Sequence, residues 1–144
     1  MIVSMKVLGI FFLCLVGIIA EAQTVPAWVY SPLPRSETYY YRVSQGIGLT
    51  EEEAEARAFA SAIMESAFAL GIPIDIKQLE QIKGDSLLVM ASRYVKIPIN
   101  KVCVYSESLI TRRGYRAYVL CQVANDARII PQFKSYNCIL NKEE

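Results

Sequence analysis

The sequence predicts an α+β fold in which one long, alanine-rich helix packs on an antiparallel sheet of about four to five strands. Residues 50–70 place apolar side chains at helical spacing, and residues 39–45 are rich in β-forming side chains. Residues 101–124 alternate apolar and polar side chains around a turn. These segments together predict a folded domain over residues 39–124.

The predicted helix over residues 50–70 has start and stop signals at its ends. Thr50 and Glu53 fit a capping box, and three glutamates in the first turn suit the positive end of the helix dipole. Gly71 and Pro73 then end the helix. The apolar stripe expected to face the sheet consists of Ala56, Phe59, Ile63, Ala67 and Leu70.

A strand over Tyr39–Gln45 leads into the glycines Gly46 and Gly48, which predict a turn before the helix. A Gly-x-Gly sequence after a strand can also cradle a phosphate. The dinucleotide fingerprint, however, has a third glycine where this chain has Glu51, and the neighbouring glutamates would repel an anion. We therefore expect the glycines to serve the turn, and no cofactor is predicted.

The alternation on either side of Gly114 predicts a β-hairpin. If Thr111 and Tyr115 flank a three-residue loop, Cys103 faces Val123 and is diagonal to Cys121. A longer, five-residue loop would place the two cysteines opposite each other. The apolar set of the second strand consists of Tyr115, Ala117, Val119, Cys121 and Val123.

A small basic cluster is formed by Arg112 and Arg113 at the tip of this hairpin, together with Arg116. Such a cluster can meet an acidic partner or a lipid headgroup. A solvated turn is the commoner role for three charges at a loop.

The remaining mature segments are irregular in sequence. Three prolines make residues 23–38 an extended lead-in, in which Trp28 is expected to pack on the domain. A strand with an irregular end is predicted around Ile74 and Ile76. Residues 87–97 can form a strand, or residues 87–94 a short helix, before Pro98.

The C-terminal tail over residues 125–144 is expected to fold back on the domain. Its apolar residues Ile129, Ile130, Phe133 and Tyr136 would make that contact, whereas residues 141–144 are expected to fray.

Residues 1–22 have the three parts of a cleavable signal peptide: Lys6, an uncharged apolar run from Val7 to Ala20, and small residues at the cleavage site. The apolar run is 14 residues long, whereas a bilayer-spanning helix needs roughly 20. We expect cleavage near Ala22 and no stable membrane span afterwards.

Lipidation of Cys14 is not expected. Bacterial lipoprotein signals place a small residue before the cysteine and a polar stretch after it. Here Leu13 precedes Cys14 and an apolar stretch follows.

The composition narrows the possible chemistry. The chain has no histidine, which excludes Ser-His-Asp and Cys-His catalysis and histidine-bearing zinc sites. A net charge of +1 gives no general attraction to nucleic acid. No catalytic, cofactor-binding or metal-binding residue is predicted, and we do not expect an enzyme.

Three cysteines follow the leader, namely Cys103, Cys121 and Cys138. They are one fewer than a cysteine-only metal site needs. In an oxidising compartment they could form one disulfide and a free thiol, or an intermolecular bond. All three could equally be buried apolar residues, and the sequence does not decide between these alternatives.

Four features together resemble a known family: the segment Pro26–Val29, the tyrosine-rich strand running into Gly48, the alanine-rich helix, and the late segment Gly114–Leu120. They are similar to the lipoprotein-20 family of bacterial envelope proteins, and to the related N-terminal domain of flagellar-assembly proteins, over about residues 26–124. This resemblance implies an α+β domain in the envelope of a Gram-negative bacterium, without catalytic residues. Because an acceptable lipidation cysteine is missing, a periplasmic or secreted form is expected.

We therefore expect an exported, non-enzymatic envelope protein that acts through contacts with an envelope protein or a surface. A helix followed by antiparallel strands is also how cystatin-like inhibitors are built. The alternative function is accordingly a secreted cystatin-like inhibitor or a small-ligand-binding module.

Overall fold

A computed structural model describes residues 24–31, 33–73, 87–93 and 95–144 of the 144-residue chain. The predicted signal peptide at 1–22 and the strand predicted around Ile74 lie outside the described residues. Eight elements follow one another in the described part: a 3-10 turn at Ala27–Val29, strand β1 at Tyr39–Gly48, helix α1 at Glu51–Leu70, helix α2 at Leu87–Ser92, strand β2 at Ile99–Ser108, strand β3 at Tyr115–Ala124, strand β4 at Tyr136–Asn137 and strand β5 at Lys142–Glu143.

The predicted α+β architecture, with a long helix on an antiparallel sheet, is confirmed, but the strand number is wrong. Within the described residues the main sheet has three strands in the order β1-β3-β2, and β4 and β5 form a separate two-stranded hairpin. β3 is the central strand and is buried on both faces along most of its length. Helix α1 covers one side of the sheet, which we call the helix face; the other side is the tail face.

Helix α1 begins and ends as the sequence predicts. The Thr50 hydroxyl accepts a hydrogen bond from the Glu53 amide at 3.1 Å, and the Glu53 carboxylate accepts one from the Leu49 amide at 2.8 Å. Gly71 ends the helix in the left-handed conformation, with φ of 68°. Local capping chemistry therefore sets both bounds.

The predicted sheet-facing stripe of α1 is partly wrong, because Ala56 is exposed. The helix instead presents Ala54, Ala58 and Ala62, all fully buried, to the sheet, while Phe59 and Leu70 pack at the margin. A Cβ atom at Gly46 would lie only 2.3 Å from the Ala58 amide nitrogen. The glycines of β1 therefore let α1 approach the sheet closely. Only side chains as small as alanine fit between the helix and the sheet at this contact.

The predicted hairpin forms, with a different register. β2 and β3 are joined by a six-residue loop over residues 109–114, and Cys103 faces Leu120 instead of Val123 or Cys121. The register shifts between Lys101 and Cys103, where a bulge interrupts the pairing. The apolar set predicted on β3 does form the helix-side core, which contains Ala117, Val119, Cys121 and Val123.

The structure also shows the conformation of residues 87–92 and the position of Trp28 in the lead-in. Residues 87–92 are helical, in agreement with the helix alternative, and α2 packs against α1. Trp28 is 1% exposed and packs on the tail face with Cys103, Tyr105 and Leu120. The expectation that this tryptophan packs on the domain is therefore confirmed.

Candidate functional site

The C-terminal tail lies across the tail face and is covalently fixed there. Cys138 forms a disulfide with Cys103 of β2, with the two Cα atoms 5.8 Å apart and a sequence separation of 35. Phe133 packs edge-on against the Tyr39 ring, and Tyr136 packs against the Tyr41 ring. Ile130, in contrast, is 89% exposed, so it does not join the predicted contact.

Glu143 fixes the end of the tail, which the sequence predicts to fray. Its Oε1 atom accepts hydrogen bonds from the Tyr39 hydroxyl at 2.5 Å and from the Tyr41 hydroxyl at 2.7 Å. The Lys134 ammonium lies 3.8 Å from Oε2. The fraying prediction is wrong because these contacts, between residues about 100 positions apart, cannot be read from the tail alone.

Beneath the tail, the fully buried Gln122 of β3 connects three chain segments. Its Nε2 atom donates to the Tyr41 hydroxyl at 3.1 Å and to the Lys134 carbonyl at 2.8 Å, and its Oε1 atom accepts from Asn100 at 3.1 Å. A buried amide is stable when its donors and acceptor are all satisfied. Gln122 therefore specifies where the tail crosses the sheet.

An open cleft of about 480 Å³ lies between the lead-in and the tail. Residues 34–39 line one side, and Gln132, Lys134 and Glu143 line the other. The lining combines hydroxyl, amide and charged groups of both signs, so the cleft suits a small polar ligand better than an apolar one.

The acid–base properties of this region favour a structural role. Hydrogen bonds from Tyr39 and then Tyr41 hold the pKa of Glu143 below its usual value. Burial raises the pKa of both tyrosines. Glu143 is therefore ionised and both tyrosines are neutral near pH 7, and the three groups form a stable charge-assisted cluster.

The third cysteine is separated from the disulfide by the sheet. Cys121 points into the helix-side core, is fully buried and carries a free thiol. Burial raises the pKa of this thiol to about 12, which keeps it protonated and unreactive. Of the alternatives that the sequence left open, the structure therefore has one disulfide and one buried thiol.

The glycines considered for phosphate binding serve packing. Gly46 and Gly48 continue β1 instead of forming the predicted turn, and Cβ atoms there would collide with the start of α1. The helix backbone lies so close to Gly46 that no room for a phosphate is left between them.

The three arginines predicted to form a basic cluster at the hairpin differ in their contacts. Arg116 pairs with Glu107 across the strands at 4.0 Å, whereas Arg112 and Arg113 are exposed on the loop. Ile110, on the same loop, is 100% exposed. The alternating pattern continues through Ile110, but β2 ends at Ser108 and leaves this residue on the loop.

No protein-family model, curated protein or solved structure matches the chain. Among the described residues, no three side chains of the metal-binding types gather at one place. No helix in the described ranges is both long and apolar enough to cross a bilayer.

Proposed function

We propose that this chain is an exported, non-enzymatic protein of the cell envelope, periplasmic or secreted, that acts through contacts with a protein or a surface. The observation that carries the proposal is the disulfide between Cys103 and Cys138. Structural disulfides form and persist in oxidising compartments and are rare in the cytosol. The signal-peptide pattern of residues 1–22 and the resemblance to lipoprotein-20 proteins support the same location.

Exposed aliphatic side chains support the contact role. Ile110 is 100% exposed on the β2–β3 loop, while Ile139 and Leu140 are 94% and 61% exposed on the turn between β4 and β5. Both turns are held at their bases, the first by a Leu109–Gly114 hydrogen bond of 3.0 Å and the second by the adjacent disulfide. These two turns offer apolar side chains that a partner or a surface could bury.

Fractionation of the source cells, followed by mass measurement of the intact protein, tests the proposal. We expect the protein in the periplasmic or secreted fraction, with Gln23 as its first residue and no lipid mass. Cytosolic protein with an intact leader, or a lipid on Cys14, would contradict it.

The cleft between lead-in and tail favours a second candidate, a small-ligand-binding module. Native mass spectrometry of protein isolated from its own envelope would then show a bound small molecule. Replacing the two cations beside the cleft, Arg35→Ala and Lys134→Ala, should reduce the bound fraction. Protein that carries no added mass would rule out this candidate.

A further inference from the structure

The loop between β2 and β3 projects one apolar side chain away from the domain. Ile110 is 100% exposed, and Thr111, Arg112 and Arg113 beside it are exposed as well. The base of the loop is firm, because Gly114 adopts φ of 125° and packs so closely on the Gly48 carbonyl that a Cβ atom would lie 2.7 Å from it. The loop is thus held at its base, and Ile110, Arg112 and Arg113 are exposed on it.

The charges of this projection are unbalanced within the loop itself. Among the described residues, neither Arg112 nor Arg113 forms an ion pair, whereas the neighbouring Arg116 is paired with Glu107. Leu49, which follows Gly48, is 73% exposed and adds apolar surface near the loop base. Two guanidinium groups without an ion pair among the described residues therefore lie on the same loop as the exposed Ile110.

We propose that this loop binds the surface of an anionic phospholipid bilayer, with Ile110 in the interface and Arg112 and Arg113 on lipid phosphates. An apolar side chain beside arginines is the chemistry of interfacial membrane binding. Guanidinium groups bind phosphate oxygens in a bidentate manner, which fits lipid headgroups. The inference rests on the proposed export, since it names the surface that the exported protein contacts.

The acidic start of α1 weakens this contact. Glu51 and Glu52 are exposed and share a shallow depression with Leu49 and Tyr115, so they lie at the same end of the domain. They would be repelled by an anionic surface. Binding should therefore be weak, reversible and sensitive to salt.

Co-sedimentation of the processed protein with vesicles tests the proposal. The vesicles contain either equal parts of phosphatidylglycerol and phosphatidylcholine or phosphatidylcholine alone, at low ionic strength. We expect binding to the anionic vesicles only. Each arginine near an anionic surface strengthens binding by about fivefold, so the double variant Arg112→Ser/Arg113→Ser should bind about 30-fold more weakly.

The variant Ile110→Ser should lose at least about tenfold, because it removes the inserted apolar side chain. Replacing Glu51→Gln and Glu52→Gln should strengthen binding. Since Ile110 and both arginines are exposed, the loop variants should unfold at the same urea concentration as the wild-type protein.

Matched controls remove the same chemistry elsewhere. Phe68→Ser deletes a 70% exposed apolar side chain in the last turn of α1, and Arg93→Ser/Lys96→Ser deletes two exposed cations roughly 30 Å away, beyond the other end of β2. Both controls should bind as the wild type does. A wild-type protein that ignores anionic vesicles, or loop variants that bind no more weakly than the controls, would overturn the proposal.

Three further outcomes are informative. If the arginine variant loses binding while Ile110→Ser keeps it, the contact with the vesicle is electrostatic only, and insertion of Ile110 is contradicted. Vesicle binding by a protein that fractionation finds in the cytosol would refute export alone. An exported protein that ignores vesicles would refute the lipid contact alone.

Discussion

The two faces of the sheet are covered by different means. The helix face is covered by one regular element, α1, whose buried alanines lie against the glycines of β1. The tail face is covered by irregular chain, which depends on a disulfide, a carboxylate bound to two tyrosines and the buried Gln122. Close packing holds the first cover, and specific long-range bonds hold the second.

Removal of the disulfide is expected to have the largest effect on stability, and it should affect the tail and leave helix α1 unchanged. The double variant Cys103→Ser/Cys138→Ser removes a cross-link over 35 residues, and we expect the free energy of unfolding to fall by about 3 kcal/mol. Urea unfolding measures this loss. Hydrogen exchange should show faster exchange in residues 125–144, while the amides of α1 keep their protection relative to global unfolding.

Reduced wild-type protein is the control for this variant, and the two should have the same stability. Equal stability of the oxidised protein and the double variant would show that the disulfide does not hold the tail.

A substitution at Gly46 tests the helix face. Gly46→Ala places a Cβ atom 2.3 Å from the Ala58 nitrogen and 2.6 Å from the Ala54 carbonyl oxygen. The helix must move outward, so we expect a loss of about 2–3 kcal/mol in urea unfolding. Gly71→Ala is the matched control: its Cβ meets nothing within 4 Å, and only the φ of 68° opposes it, which costs about 1 kcal/mol.

If Gly46→Ala costs no more than Gly71→Ala, the helix accommodates the added Cβ atom, since Gly46 has no positive φ that could oppose alanine. Close approach of α1 to the sheet would then not be what makes Gly46 necessary.

A smaller and pH-dependent effect is expected for Glu143→Gln. The variant weakens two charge-assisted hydrogen bonds on a partly exposed carboxylate, so we expect a loss of about 1 kcal/mol at pH 7. Because the pKa of Glu143 is lower in the folded protein, this contribution is fully present above the ordinary glutamate pKa. It disappears as the pH falls through the folded value.

Unfolding at a series of pH values checks this prediction, with Glu37→Gln as control, because Glu37 lines the same cleft but is exposed. A gap between wild type and Glu143→Gln that persists at the lowest pH would show that ionisation of Glu143 is not its source.

The contrast between the helix face and the tail face also explains which features of the fold could be predicted from the sequence. Helix α1 is bounded by local signals at Thr50 and Gly71, so its position follows from neighbouring residues alone. The stripe prediction included Ala56 because spacing was read from the large residues Phe59 and Ile63. In the structure the glycines of β1 bring the helix so close to the sheet that its smallest side chains face the sheet instead.

The hairpin and the tail depend on contacts that local patterns do not encode. Gly114 marked the turn correctly, but the bulge near Val102 and the six-residue loop changed the partner of Cys103. The candidate cleft was not foreseen, because Glu143 becomes part of it only through tyrosines at the other end of the chain. Nothing within residues 125–144 indicates those partners.

Disulfide mapping of the protein isolated from its source cells tests the central claim most directly. The protein is unfolded without reductant, alkylated, digested and analysed by mass spectrometry. We expect one alkylated cysteine, Cys121, and one cross-linked peptide pair joining Cys103 to Cys138. Three alkylated cysteines would contradict both the oxidising location and the covalent fixing of the tail, whereas a cross-link that includes Cys121 would contradict the Cys103–Cys138 pairing.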